Sequence, residues 1–208
     1  MFRLQHTLAL IGLVLSFNLA HADDKPITID IIRTKVQALS LSTSKTIDAL
    51  KKSNQATGDL KGQMKQLDEA IVLFEKEVQA LEKGGTIYQL TLDAQSGSRK
   101  LIETMEADLS SGTNNATQVK DIENLIKSQR KVLSRFGNLI IEMSEKADRI
   151  KSKLKDLKGN KKIIVYKITA NQQEAALKQL KECMKIFDDI ESDIDTLNDS
   201  TQKMASPE

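Results

Sequence analysis

Cysteine, histidine, proline and aromatic residues are all scarce in this 208-residue chain. Each scarcity removes a class of function. A single cysteine, Cys183, excludes an internal disulfide and a thiolate metal site. Both histidines, His6 and His21, lie within the first 22 residues, which are read below as a cleaved leader. Without them, Ser-His-Asp and Cys-His nucleophiles and histidine-containing zinc sites are excluded. No glycine-rich phosphate cradle appears, so neither a metal nor a cofactor is expected.

Paired carboxylates alone suffice for glycoside hydrolysis, but such sites usually sit among aromatic side chains that grip sugars. Beyond residue 22 the aromatics are only Phe74, Tyr88, Phe136, Tyr166 and Phe187, and tryptophan is absent. The chain is therefore read as nonenzymatic.

A large excess of one charge is missing too. Removing residues 1–22 takes Arg3 and no acid, leaving 30 basic against 29 acidic residues. Proteins that neutralise phosphates carry a basic excess, so nucleic acid is not an expected partner. Long hydrophobic runs are confined to the start. Arg3, the apolar stretch Leu8–Leu15 and the Ala20-His21-Ala22 site form the three parts of a secretory signal. Nothing later approaches the roughly 18 apolar residues of a membrane span. The expected organisation is a cleaved signal peptide at 1–22, an elongated helical domain at 23–203 and a disordered tail at 204–208. The expected location is extracellular, or periplasmic in a Gram-negative cell.

What the chain does contain is a heptad pattern. Leu, Ile, Val and Phe make up 47 of the 186 residues after position 22, enough to build a core. The prolines that remain, Pro26 and Pro207, lie at the two ends, so none interrupts a helix between them. Leu60, Met64, Leu67, Ile71, Phe74, Val78 and Leu81 step by four and three. So do the twelve positions Val119, Ile122, Ile126, Gln129, Leu133, Phe136, Ile140, Met143, Ala147, Ile150, Leu154 and Leu157. Ala176, Leu180, Cys183, Phe187, Ile190, Ile194 and Leu197 form a third seam. A sustained 3.5-residue period keeps one stripe facing a partner helix. The fold class is thus all-α: an elongated bundle or antiparallel coiled coil of three to four long helices. Cys183, on its seam, is read as a small buried apolar residue.

Stops punctuate the pattern. The first helix is expected over 28–83, with a soft joint or break in the polar stretch Ser53–Gly62, and ends at Gly84-Gly85. Ser110-Ser111-Gly112 closes a shorter helix. Asn115 caps a helix over 116–158, about 64 Å long at 1.5 Å per residue, that ends at Gly159-Asn160. Three stretches depart from the helical period: Ile27–Ile31, Ile87–Leu92 and Ile163–Tyr166. The latter two adjoin helix breaks and are candidates for a very short strand pair at one end of the bundle.

Charge is uneven along the chain. Residues Lys146–Lys167 hold nine basic and two acidic residues, and Glu182–Glu208 hold eight acidic and two basic ones. An antiparallel third and fourth helix is expected to put these blocks at opposite ends of a rod. Lys151, Lys153, Lys155, Lys158, Lys161 and Lys162 are the candidate contact residues, either a solvated helix face or a surface for a partner or membrane. The leading expectation is a secreted helical bundle that acts through protein contacts, with another protein or a second copy of itself as partner. The alternative is membrane activity, as a pore-forming toxin component or lipid-binding protein that lays an apolar face on lipid.

Overall fold

The structure, a computed structural model, describes residues 29–55 and 59–205. It contains five helices: α1 (Ile29–Gln55), α2 (Leu60–Leu81), α3 (Thr86–Ser110), α4 (Ala116–Thr169) and α5 (Gln173–Ala205). The all-α bundle follows from the seams. Every position of the third seam, from Ala176 to Leu197, is buried, as are Leu67–Leu81 of the first. The twelve-residue seam is buried from Met143 to Leu157, whereas Val119, Leu133 and Ile140 are only half-buried. Each well-buried aliphatic or aromatic side chain contributes about 1.5–3 kcal/mol by withdrawing its apolar surface from water.

Four helices form a body in which each packs against two neighbours in the ring α1–α2–α4–α5. All four neighbouring pairs run antiparallel. Ser40 and Ser44 of α1 bond Asp195 and Glu191 of α5. Asp68, Glu75 and Glu82 of α2 pair with Lys161, Lys158 and Lys151 of α4. Gln179 of α5 bonds Asn160 of α4, and Asp193 pairs with Lys146 and Lys153. Across the diagonal, Phe74 of α2 and Phe187 of α5 meet at the centre with ring centroids 5.4 Å apart.

Helix α3 continues in the direction of α2 along the same partner. Its Thr91 meets Met143, and its Glu106 pairs with Arg130 of α4 at 2.6 Å. The turn at 82–85 is therefore a joint, not a reversal. It needs its glycines: Gly84 has φ of 87°, and a Cβ on Gly85 would lie 2.0 Å from the Gln79 carbonyl oxygen. Past the body, α3 and α4 form a two-helix hairpin with a separate small core of Ile102, Met105, Ile122 and Ile126. Leu133 packs against this satellite core. The hairpin turns at Gly112, with φ of 67°, and α4 starts on a capping box between Asn115 and Gln118.

Several expectations need correction. The helix expected over 28–83 breaks within its polar stretch, as one of the two expectations there had it, so that α1 and α2 are separate and five helices are present among the described residues. Residues 87–92 and 163–166 are helical, and no strand occurs among the described residues. Of Ile27–Ile31, residues 29–31 open α1, while Ile27 and Thr28 lie outside the described residues, as do the expected signal peptide and residue 58. Buried on one side only, Ile163–Tyr166 is held in helical register by Ile164, which is 0% exposed. Gly159-Asn160 does not stop α4, which runs on to Thr169. One mid-helix glycine costs only about 1 kcal/mol, and Leu157 and Ile164 on either side both anchor the helix in the core. The stop is Asn171, at φ of 60°, with Asn171 N–H donating to Ile168 O and Gln172 N–H to Lys167 O. Met204 and Ala205, expected in a tail, belong to α5, and residues 206–208 lie outside the described residues.

Candidate functional site

The lysine-rich stretch of α4 faces both α5 and α2, because its residues step around the helix. Lys153 turns toward α5, where its ammonium donates to Asp193 Oδ2 at 2.6 Å and to the Asp189 carbonyl at 2.9 Å. Lys146 donates to the other oxygen of Asp193 at 2.8 Å. The Asp193 carboxylate is only 6% exposed. Burial alone would raise its pKa, but the two ammonium groups outweigh burial and hold the carboxyl below its ordinary range. This cluster fixes the register between α4 and α5 and is a structural feature.

It also corrects the expected charge separation. The antiparallel register lays residues 146–153 beside 189–193, so the basic and acidic blocks overlap and neutralise one another at mid-length. They are not at opposite ends of a rod.

The remaining candidates face α2. Lys151 pairs with Glu82 at 3.0 Å, Lys158 with Glu75 and Lys161 with Asp68. Lys155 and Lys162 are exposed and have no carboxylate partner among the described residues. Four of the six candidate lysines thus serve the fold through ion pairs, and two are free.

Between α2 and α4 lies a shallow groove that the Lys161–Asp68, Lys158–Glu75 and Lys151–Glu82 pairs bridge and divide into sections. One section, of about 660 Å³, has Ile71 in its floor and Val72 and Val165 on its walls, with Lys158, Lys161 and Lys162 on one rim and Asp68 and Glu75 on the other. The next section, of about 430 Å³, shares Glu75 and Lys158 and runs past Val78 and Leu154 to Lys151, Lys155 and Glu82. Both rims are written in the sequence as heptad steps: 68, 72, 75, 79 and 82 on α2, and 151, 155, 158, 162 and 165 on α4. Val72 and Val165 remain 52% and 47% exposed. Beyond Val165, Tyr166 is 71% exposed near the end of α4. Sequence reasoning found the α4 rim by its charge. It missed the α2 rim, because Val72 is one exposed valine beside the core residues Ile71 and Phe74 and the half-buried Leu73, and nothing local distinguishes it.

Two other groups have shifted acidities. Burial pushes the Cys183 thiol up to about 11, which leaves it protonated and a poor nucleophile at neutral pH. Burial also raises the carboxyl of Glu77, against the hydroxyl bonds it receives from Ser42 and Thr43. Among the described residues no group of three His, Cys, Asp or Glu side chains is placed to hold a metal ion. None of the described helices is long and apolar enough to cross a membrane.

Compared with known proteins, the chain matches no family model, no curated protein and no solved structure.

Proposed function

We propose that this chain is a secreted, nonenzymatic binding protein: a helical bundle that presents the α2–α4 groove to a protein partner. The observation that carries the reading is the exposure of Val72 and Val165 beside the unmatched Lys162 in one recess between α2 and α4, with the unmatched Lys155 lining the adjoining recess. Exposed apolar side chains inside a groove have a use in recognition that scattered ones lack. The leader at 1–22, if cleaved as its composition predicts, sends the bundle out of the cytoplasm. The partner is another protein or a second copy of the chain.

One observation favours a second reading. Ile163, Val165 and Tyr166 are exposed together near Lys161 and Lys162, at the end of α4, and such a tip suits contact with an anionic membrane surface.

The two readings separate in one paired experiment on residues 23–208. The protein is floated with phosphatidylglycerol and phosphatidylcholine vesicles, and is also used to capture proteins of the producing organism. The binding reading predicts no flotation, and capture that a Lys155→Glu/Lys162→Glu variant loses. Flotation on phosphatidylglycerol that Tyr166→Ser abolishes, without capture, would establish the membrane reading instead.

A further inference from the structure

We infer that the α3–α4 hairpin is a dimerisation element: two copies of this chain pack their hairpins side by side and antiparallel, the tip of each against the base of the other. This surface is separate from the α2–α4 groove, so the inference goes beyond the proposed function and does not depend on it.

An apolar stripe marks the face. Ile87, Ala94 and Leu101 step by seven along α3, and Leu125, Val132 and Leu139 step by seven along α4. Positions one heptad apart lie on the same side of a packed helix. Ile87, Ala94 and Leu139 are buried in the core of the body, and Val132 packs against it. Leu101 and Leu125 carry the same stripes out along the hairpin, where both are only half-buried. The cause is where the other helices end. Asp193 of α5 lies beside Lys146 and Lys153, and α5 finishes at Ala205, so it stops near Arg135 of α4. Helix α1 starts at the same level, because Ser40 bonds Asp195. Beyond that level the satellite core and the side chains packed on it come from α3 and α4 alone.

Charge selects the occupant. The outer part of the hairpin, residues 103–123, holds five acids, Glu103, Glu106, Asp108, Asp121 and Glu123, against one base, Lys120. The inner part, residues 94–102 and 124–138, holds six bases and no acid. Only the Glu106–Arg130 pair is seen to join the two parts within the chain. A second hairpin laid parallel would set like charge on like along its whole length. Laid antiparallel, its acidic tip meets the basic base and its basic base meets the acidic tip, two identical contacts about one two-fold axis. A partner of one charge throughout would suit only half of the face.

Size sets the strength. Residues 116–134 of α4 span about 27 Å, and two helices side by side are about 20 Å wide. Full overlap then buries roughly 1,000 Å² over both copies, the lower limit of a specific interface, so the dimer is reversible and of micromolar affinity. The start of α1 and the end of α5 stop the partner's tip and fix the overlap.

The test is sedimentation velocity on the protein of residues 23–208 across a micromolar concentration series. Wild type should show a monomer–dimer equilibrium. Asp108→Lys/Asp121→Lys/Glu123→Lys reverses the charge of the tip, and Arg99→Glu/Lys100→Glu/Lys127→Glu/Lys131→Glu reverses that of the base. None of these side chains belongs to the satellite core, and circular dichroism verifies that each variant melts like wild type. Each variant alone should dimerise at least tenfold more weakly, and an equimolar mixture of the two should restore the dimer. A second readout needs no variant: hydrogen-exchange protection of residues 101–133 should rise with wild-type concentration while that of 139–164 stays constant. Wild type that remains monomeric, a dimer that neither variant weakens, or a mixture of folded variants that remains monomeric would each overturn the proposal. So would a dimer lost in Lys155→Glu/Lys162→Glu, which would place self-association in the groove, or one that forms only when residues 23–28 are removed, which would give the face to that segment.

Discussion

Asp193 stands between Lys146 and Lys153, and much of the α4–α5 register depends on this one carboxylate. Asp193→Ala leaves two partly buried ammonium groups without their partner. Breaking a buried pair costs 3–5 kcal/mol, and the lysines' partial access to water reduces this to about 2–3 kcal/mol. The penalty depends on pH in a definite direction. The folded pKa of Asp193 lies below its unfolded value, so its contribution is complete above the ordinary carboxylate range and is lost as pH falls through the folded value. Urea melts at pH 7 should therefore show the full difference between wild type and variant, and melts well below pH 4 should show little. Glu77 behaves oppositely. Its folded pKa is raised, so the stability linked to its protonation is complete below the unfolded value, near 4.5, and is lost as pH rises through the folded one. Glu77→Gln is expected to stabilise the protein at pH 7 and to lose that advantage in acid, which parallel melts at the two pH values check.

At the scale of elements, three helices were legible because their seams are almost wholly apolar. Helices α1 and α3 were expected only from their bounds, although each carries a regular buried stripe. That of α1 is Ile32, Val36, Leu39, Thr43, Ile47 and Leu50, and that of α3 includes Thr91, Ala94, Ser98, Ile102 and Met105. Thr43, Thr91 and Ser98 mask the pattern. Two of them are buried at low cost because their hydroxyls find acceptors: Thr91 bonds the Ile87 carbonyl of its own helix, and Thr43 bonds Glu77. The misplaced end of α4 has a related cause. Gly-Asn is a stop only when the following residues lack core contacts, and here Ile164 supplies one. Gly159 therefore pays a backbone entropy penalty inside a continuous helix, and a Cβ added there meets nothing within 4 Å. Gly159→Ala should raise stability by about 0.5–1 kcal/mol without altering the fold, as read from denaturation midpoints.

The whole molecule divides into a four-helix body and a two-helix hairpin, and the division has mechanical consequences. The body buries Phe74, Met143, Leu157 and Phe187 in one continuous core, whereas the hairpin relies on a separate cluster of four buried side chains. Regions with few apolar contacts open at lower free energy. Hydrogen exchange should be faster across residues 101–133 than across 139–164. Ile126→Asp should abolish protection in the hairpin alone, while Phe187→Asp should unfold the body. Leu133→Asp belongs with the first kind, because Leu133 is half-buried against the hairpin core.

The candidate site was legible in part at this scale. Charge density pointed to the stretch of α4 that lines the groove, but only the packing of α2 and α5 against it separates the lysines that hold the fold from the two that are free. The most direct test of the account is a photocrosslinking amino acid at Val72, on the groove wall, compared with one at Thr196, exposed on α5 away from the groove. Irradiated among the producing organism's proteins, the Val72 protein should give a discrete crosslinked product that Lys155→Glu/Lys162→Glu eliminates, and the Thr196 protein should not. Equal products at both positions, or none at Val72, would contradict the claim that this groove is where the protein works.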